Sequence, residues 1–554
     1  MDSIIASVNR TLQHLSVVAS LQLWSSETAY PGLHAEGPQG LIDQQLRIED
    51  SDLFIAVFWK RFGTPVGDAG SGTAHEILRA IEAWKSKRTP EVMLYFRETT
   101  DEPTSPGEND QFLKLQAFKQ DLLSTEKPFV RYYKDPAEFR SLLTEHLIVV
   151  ATILAQRRDQ KTAPYSPFRF SAIVDKVHVR REGLVELVGD IFLRCTYVGD
   201  RPQSSLVFDV VLSASTPITS RMIGPAVAGV TLFEVGRPGA TVLVSGEGRH
   251  YSNKVVFRDI RLNDISPNET RTFQICNLRC AGTHAGYADK SAALAAGRGE
   301  NVVGNIWAHV TVTGATVEGA SLIVASVTKG LDFEVRTPDN SQRLPEPRFE
   351  ASQSANLVDM RVATLRFTEG FPNAFKPRGT SPGQVKNASA VYTGESSPLC
   401  QVVDVGGGNI DILGLADNGT RLQACFRVQA GTRILVSVSN IGYAQVRIIE
   451  AESNLVPGTA MKIGGFGGLE VRELLIDHSG SHIVWEVLAP VSSGSSLGEL
   501  DFAVFASYMC NEPTNPGPLP MIWVVGGFAP STSTGVAWRF PEFIQLPPFG
   551  SSSP

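Results

Sequence analysis

Residues 58–77 read "FWKRFGTPVGDAGSGTAHEI". The stretch leaves an apolar, aromatic segment, crosses a run of Gly, Pro, Thr and Ser, and enters residues with helical spacing. Upstream, "DLFIAVFWKRF" is a nearly continuous apolar run, the pattern of a strand in a parallel sheet covered on both faces. Downstream, "GTAHEILRAIEAWKS" puts Ile77, Ile81 and Trp84 on one helical face. The stretch therefore joins a buried strand to a helix, and everything between them is a glycine-rich connection.

Working outward, the same alternation continues. Ile4, Ile5, Val8, Leu12 and Leu15 share a helical face, "SLQLWSSE" reads as a short strand, and "GPQGLIDQQLRIED" reads as a helix. After the central stretch come a strand in "EVMLYFRE", a helix in "QFLKLQAFKQDLLS" and a strand in "PFVRYY". A last helix opens on Asp135 and Pro136, cap then first-turn proline. Strands alternating with helices predict a flavodoxin-like α/β domain with a parallel sheet over residues 1–160.

A polar linker at 161–167 changes the texture. Strand signals then dominate, in "SLVFDVVLSAS", "TRTFQICNLRC", "NIWAHVTVTGATV", "HIVWEVLAP" and "LDFAVFASYM". Gly, Pro, Asn and Ser turns separate them at the spacing of β-sandwiches. The expected organisation is one all-β module over 168–340, a linker at 341–355, a second module over 356–545 and a disordered tail at 546–554.

Composition excludes several classes. The chain has 554 residues, a net charge of −7 and a charged fraction of 19%, with no basic block that would suit nucleic acid. No apolar run reaches the ~18 residues of a membrane-spanning helix, and the opening residues carry no signal-peptide pattern. A cytoplasmic protein is the expectation. The six cysteines include one close pair, Cys276 and Cys280, without the second pair or nearby histidines that zinc requires. They read as isolated buried thiols, and no metal site is expected. Asn268, Asn387 and Asn418 fit the glycosylation pattern, but no export signal accompanies them. "VDVGGGNIDILG" is a loop before a strand, not a phosphate cradle, and Asp411 and Asp417 read as turn residues. In "FTEGFPNAFKPR", Phe367, Phe371 and Phe375 fall four apart, which suits a buried plug or an exposed aromatic patch.

In a doubly wound sheet, ligands bind at the carboxyl ends of the strands, where the 58–77 stretch lies. Thr73 is a suitable helix cap and Glu76 stands three residues on, the capping-box pattern. Glu76 therefore has a structural reading as a cap partner beside any catalytic one. His75 reads as a surface residue, and Asp68 and Ser71 as turn residues.

The segment from "SSETAYPGLHAEGPQGLIDQQL" through the central stretch to "EVMLYFRE" resembles a bacterial domain family related to TIR domains. Its pattern "W-x-R-F-G-T-P-T-G" is matched by Trp59, Arg61, Phe62, Gly63, Thr64, Pro65 and Gly67. Its "S-G-T-x-x-E" helix start is matched by Ser71, Gly72, Thr73 and Glu76. The family opens with a strand of the type "V-F-[IV]-S-S", and this chain starts in the helix that follows it, so the sheet is expected without that strand. Relatives among TIR domains cleave NAD⁺ at the nicotinamide–ribose bond with a glutamate at the place Glu76 holds. The resemblance implies Glu76 as the catalytic carboxylate and NAD⁺ as substrate rather than cofactor. Trp59 or Phe62 would stack on a base and Arg61 would meet the pyrophosphate. Gly63, Thr64, Asp68, Ser71 and Thr73 would line the same loop. The β-rich part is similar to large, often exported proteins of environmental bacteria, which implies partner recognition or assembly without chemistry. The competing expectation is a non-catalytic scaffold whose α/β domain self-associates while its β modules bind a protein or glycan.

Overall fold

The computed structural model describes residues 1–24, 37–63, 70–98, 105–160, 166–183, 185–200, 203–220, 222–223, 227–235, 244–248, 253–282, 302–353, 361–372, 374–375, 432–439, 445–450, 464–466, 469–476, 482–490, 497–508 and 521–528. They form two compact units, the first from residues 1–13 and 18–160, the second beginning at 166. No helix among the described residues is long and apolar enough to cross a membrane.

The first unit holds a parallel sheet of β1 (Leu53–Phe58), β2 (Glu91–Arg97) and β3 (Val130–Tyr133), in that order. Around it stand α1 (Asp2–His14), α2 (Gly37–Leu46), α3 (Gly72–Lys87), α4 (Pro106–Thr125) and α5 (Pro136–Gln160). Side chains alternate across each strand, so both faces need cover. Phe54, Ala56, Phe58, Leu94, Phe96 and Val130 pack on one side with Ile77 and Ile81 of α3 and Leu115 and Leu122 of α4. On the opposite side Tyr95 meets Phe139 edge-on at 5.3 Å and gives its hydroxyl to Nδ1 of His146 at 2.7 Å, both residues of α5. Burial raises the Tyr95 phenol and lowers the His146 imidazole, so both groups are neutral in this bond. The α/β alternation read from the sequence is borne out as a parallel sheet with helices on both faces.

Helix starts follow the caps. Asp135 Oδ1 accepts from the Ala137 and Glu138 amides at 2.8 and 2.9 Å, and Pro136 fills the first turn. Ser105 caps α4 the same way. Two local readings are corrected. Leu21 and its described neighbours up to Trp24 are not a strand. The Asn9 amide occupies both backbone groups of Leu21, accepting at 2.7 Å and donating at 2.8 Å, and so stands where a neighbouring strand would. The cap of α3 is Ser71, not Thr73.

In the second unit, one hydrogen-bonded path of strands from Phe168 to Thr328 surrounds a single core. Phe170, Leu193, Phe273, Leu232, Phe257, Val210, Val310 and Val324 come from eight of its strands. Most pairs are antiparallel, and Val177–Arg180 closes the path in parallel with Ser321–Thr328. A second core is shared by two further sheets: Phe367, Phe502 and Val504 from one, Ile434, Val436, Ile522 and Val524 from the other. Strand Leu331–Arg336, which the sequence groups with the first module, pairs with Arg361–Glu369 of the second. Two short strands, Arg348–Glu350 and Ser352–Gln353, lie in the stretch read as a linker. Among the described residues there, Phe349 and Ala351 are buried in the core and Leu344 packs against it, while the sequence around them stays polar. Cys195, Cys276 and Cys280 are buried free thiols. Cys400, Cys425, Cys510, Asn387, Asn418, Asp411, Asp417 and the glycine run lie outside the described residues.

The two cores meet at Arg180, whose side chain is 0% exposed. It pairs with Glu186 at 2.5 Å, and its Nη1 donates to Ala374 O and Thr432 Oγ1, both at 3.1 Å. Phe367 and Phe375 are buried and Phe371 packs against the second core. Its ring also lies 5.8 Å from that of His178. The aromatic run is the buried plug, not an exposed patch.

Candidate functional site

The carboxyl ends of β1, β2 and β3 lie side by side because Phe58 registers with Phe96, and Phe96 with Tyr132. The next row carries Trp59, Arg97 and Tyr133. The Tyr133 hydroxyl donates to Phe58 O at 3.3 Å, and burial keeps the phenol protonated. That bond ties the end of β3 to the end of β1 across β2.

Trp59 is 53% exposed, and the Arg97 guanidinium stacks 4.5 Å from its ring centroid. Arg97 Nε donates to Lys134 O at 2.9 Å, which anchors the side chain to the first residue past β3. Arg61 is exposed. Phe62 is buried and packs on Phe118 of α4 at 5.2 Å. Its ring leaves no room for a Cβ at Gly70, the nearest ring atom being 2.8 Å away. Gly63 has φ +109°, a conformation that favours glycine, and a Cβ there would sit a tight 3.2 Å from Ser71 Cβ. Its N–H donates to Gln111 Oε1 at 3.0 Å. Through these contacts the two ends of the connection meet: Phe62 covers Gly70 and Gly63 abuts Ser71. Thr64 and Asp68 lie outside the described residues.

A cavity of about 460 Å³ opens beside this junction, lined by Phe62, Gly63 and Gly70 together with Lys114, Ala117, Phe118 and Asp121 of α4. Trp59, Arg61, Thr73 and Glu76 do not line it. The expected site residues thus fall into a cavity group, a strand-end group and a helix group.

The helix group begins with Ser71, fully buried, whose Oγ accepts from the Ala74 amide at 3.0 Å. With Ser71 as cap, the box position three residues on is Ala74, which has no carboxylate. Glu76 stands two residues further into α3, half-buried, on the flank that carries Ala80 and Ala83. His75 is not a free surface residue. Its Nε2 lies 3.0 Å from Asp43 Oδ2, which also faces Arg79 Nη1 at 2.6 Å. Arg79 in turn pairs with Glu49. Burial works to raise the Glu49 carboxyl, but hydrogen bonds from the backbone and Arg79 hold it below its ordinary value. This network fastens the first turns of α3 to α2 and leaves the next residue, Glu76, on a fixed helix. No cluster of metal-ligating side chains occurs among the described residues.

Arg97 and Lys134 are absent from the sequence reading. Arg97 ends an apolar strand and gives no motif. Only the strand register brings it to Trp59.

No curated protein matches the chain. Among solved structures, the CupB6 tip adhesin from Pseudomonas aeruginosa aligns over 65% of this chain and 94% of its own, at 9% identity and a TM-score of 0.15. A likeness that low carries no argument. Residues 28–148, which span β1 to β3 and the first half of α5, match the family described as a domain of unknown function, DUF4062.

Proposed function

We propose that the α/β unit is a TIR-like domain that binds a nucleotide at the ends of β1–β3 and cleaves its N-glycosidic bond, with NAD⁺ as substrate and Glu76 as the carboxylate. The observation that carries this is the cap of α3. Ser71 holds the cap and Ala74 the box position, so Glu76 stands past the capping box, half-buried in the first turns of the helix that follows the glycine-rich connection, which supports the reading. Departure of nicotinamide builds positive charge on the ribose, as in glycoside hydrolysis. A fixed carboxylate stabilises that charge, and water completes the cleavage. The β bodies of the second unit are read as sandwich-type modules that bind a protein or glycan partner or assemble copies of the chain, in the cytoplasm.

The test is nicotinamide release from NAD⁺ by the full chain, across concentrations at which it self-associates. Glu76→Ala and Glu76→Gln are expected to lower turnover about 100-fold or more. Unchanged turnover in Glu76→Ala would remove that residue from the reading. No turnover at any chain concentration would favour the non-catalytic scaffold.

A further inference from the structure

Several cations in the first unit pair with carboxylates: Arg47 with Asp50, Arg79 with Asp43 and Glu49, Lys85 with Glu126, Lys114 with Asp110 and Arg157 with Glu91. The side chains of Arg61, Arg97 and Lys134 pair with no carboxylate among the described residues, while the Lys134 backbone amide donates to Glu138 Oε2 at 2.6 Å, in a chain whose net charge is −7. Arg97 and Lys134 lie at the ends of adjacent strands and are joined by the Nε to carbonyl bond of 2.9 Å. Arg97 also stacks on Trp59, which stays half exposed.

We infer that Trp59, Arg97 and Lys134 form a recognition site for a nucleoside diphosphate group, free or as half of a dinucleotide. An indole with exposed ring area offers a stacking surface for a base. A guanidinium fixed through Nε presents its Nη atoms as a fork for phosphate oxygens. Lys134 adds a second cation at the neighbouring strand end, so the pair suits two linked phosphates better than one. Diphosphate binding thereby passes from Arg61, one residue along an exposed segment, to two residues set by the sheet register. The inference deepens the nucleotide reading of these strand ends and rests on it, but it asks nothing of Glu76.

The test is calorimetric titration of the full chain with ADP, adenosine, NAD⁺ and a ten-residue oligonucleotide. ADP is expected to bind about tenfold or more tightly than adenosine, the effect of one charge-assisted contact. Arg97→Met should abolish that preference, Arg97→Lys should restore part of it, and Trp59→Ala should weaken both ligands alike. Arg157→Met, a paired cation elsewhere, should change neither. Circular dichroism confirms that each variant is folded. Equal binding of ADP and adenosine, binding of neither, or an intact preference in folded Arg97→Met would overturn the inference. So would an oligonucleotide that binds more tightly than ADP, which would mark a nucleic-acid surface instead. The two readings fail separately: NAD⁺ turnover without an ADP preference sinks this site alone, and ADP binding without turnover sinks the catalytic reading alone.

Discussion

Replacing Arg180 with methionine removes a guanidinium that the fold surrounds completely. The Arg180 side chain is 0% exposed and that of Glu186 3%. Three kinds of contact are lost: the pair with Glu186, the bond to Ala374 O and the bond to Thr432 Oγ1. The dominant cost is the Glu186 carboxylate left buried without its cation. Breaking a buried pair from one side costs about 3–5 kcal/mol. Replacing both partners by apolar residues is far cheaper, so Arg180→Met with Glu186→Leu should recover most of that loss. What remains is the loss of the guanidinium's bonds to the Ala374 carbonyl and the Thr432 hydroxyl, worth about 1–3 kcal/mol. The double-mutant cycle should therefore show coupling of about 2 kcal/mol or more. Urea is the right denaturant, since guanidinium salt would screen charge, and Trp307 on a strand of the first β body and Trp523 on a strand of the second report on them. Because Arg180 belongs to the first core and bonds to the second, its loss should also split one unfolding transition into two. A single mutant within 1 kcal/mol of wild type, or strict additivity with Glu186→Leu, would refute the argument that this ion pair joins the β bodies.

Two further outcomes are expected. Ser71→Ala should cost about 1–2 kcal/mol in urea unfolding, because a buried Ala74 amide loses its acceptor, whereas Thr73→Ala should cost under ~0.5 kcal/mol; the reverse order would restore Thr73 as the cap. His309 is buried against Ser321 Oγ at 2.9 Å, and burial lowers its pKa to about 4. The fold therefore favours the neutral ring: stability is full above the ordinary value of about 6.5 and is lost as pH falls from there through about 4, up to about 3 kcal/mol. His309→Gln should flatten that part of the pH profile, and an unchanged slope between pH 6.5 and 4 would show that the ring does not titrate as described.

Hydrophobic period alone is enough to read β1, α3, β2, α4, β3 and α5 from this sequence, and several of the longer strands of the second unit. Each buries one face or both, and burial imposes a period of two or 3.6 on the apolar residues. The Asp135–Pro136 start is equally legible, since a cap acts on amides two or three residues away. Reading fails where partners are remote or where two local choices compete. Ser71 and Thr73 are both competent caps, and the choice falls to Ser71 because Gly63 packs against it and Phe62 covers the adjoining Gly70. "SLQLW" has the composition of a strand but finds an asparagine side chain where a strand neighbour would stand. The polar run around Phe349 reads as a linker because strands so short carry too few residues to show a period.

The sequence by itself determines an α/β unit followed by β-rich bodies, and it marks the glycine-rich connection before Glu76, because these features are written in neighbouring residues. Only the tertiary structure decides that Glu76 lies past the cap, that Arg97 meets Trp59, and that Arg180 reaches Thr432 across 252 positions. Those contacts depend on strand register and on which cores face each other, and neither leaves a periodic trace in the chain.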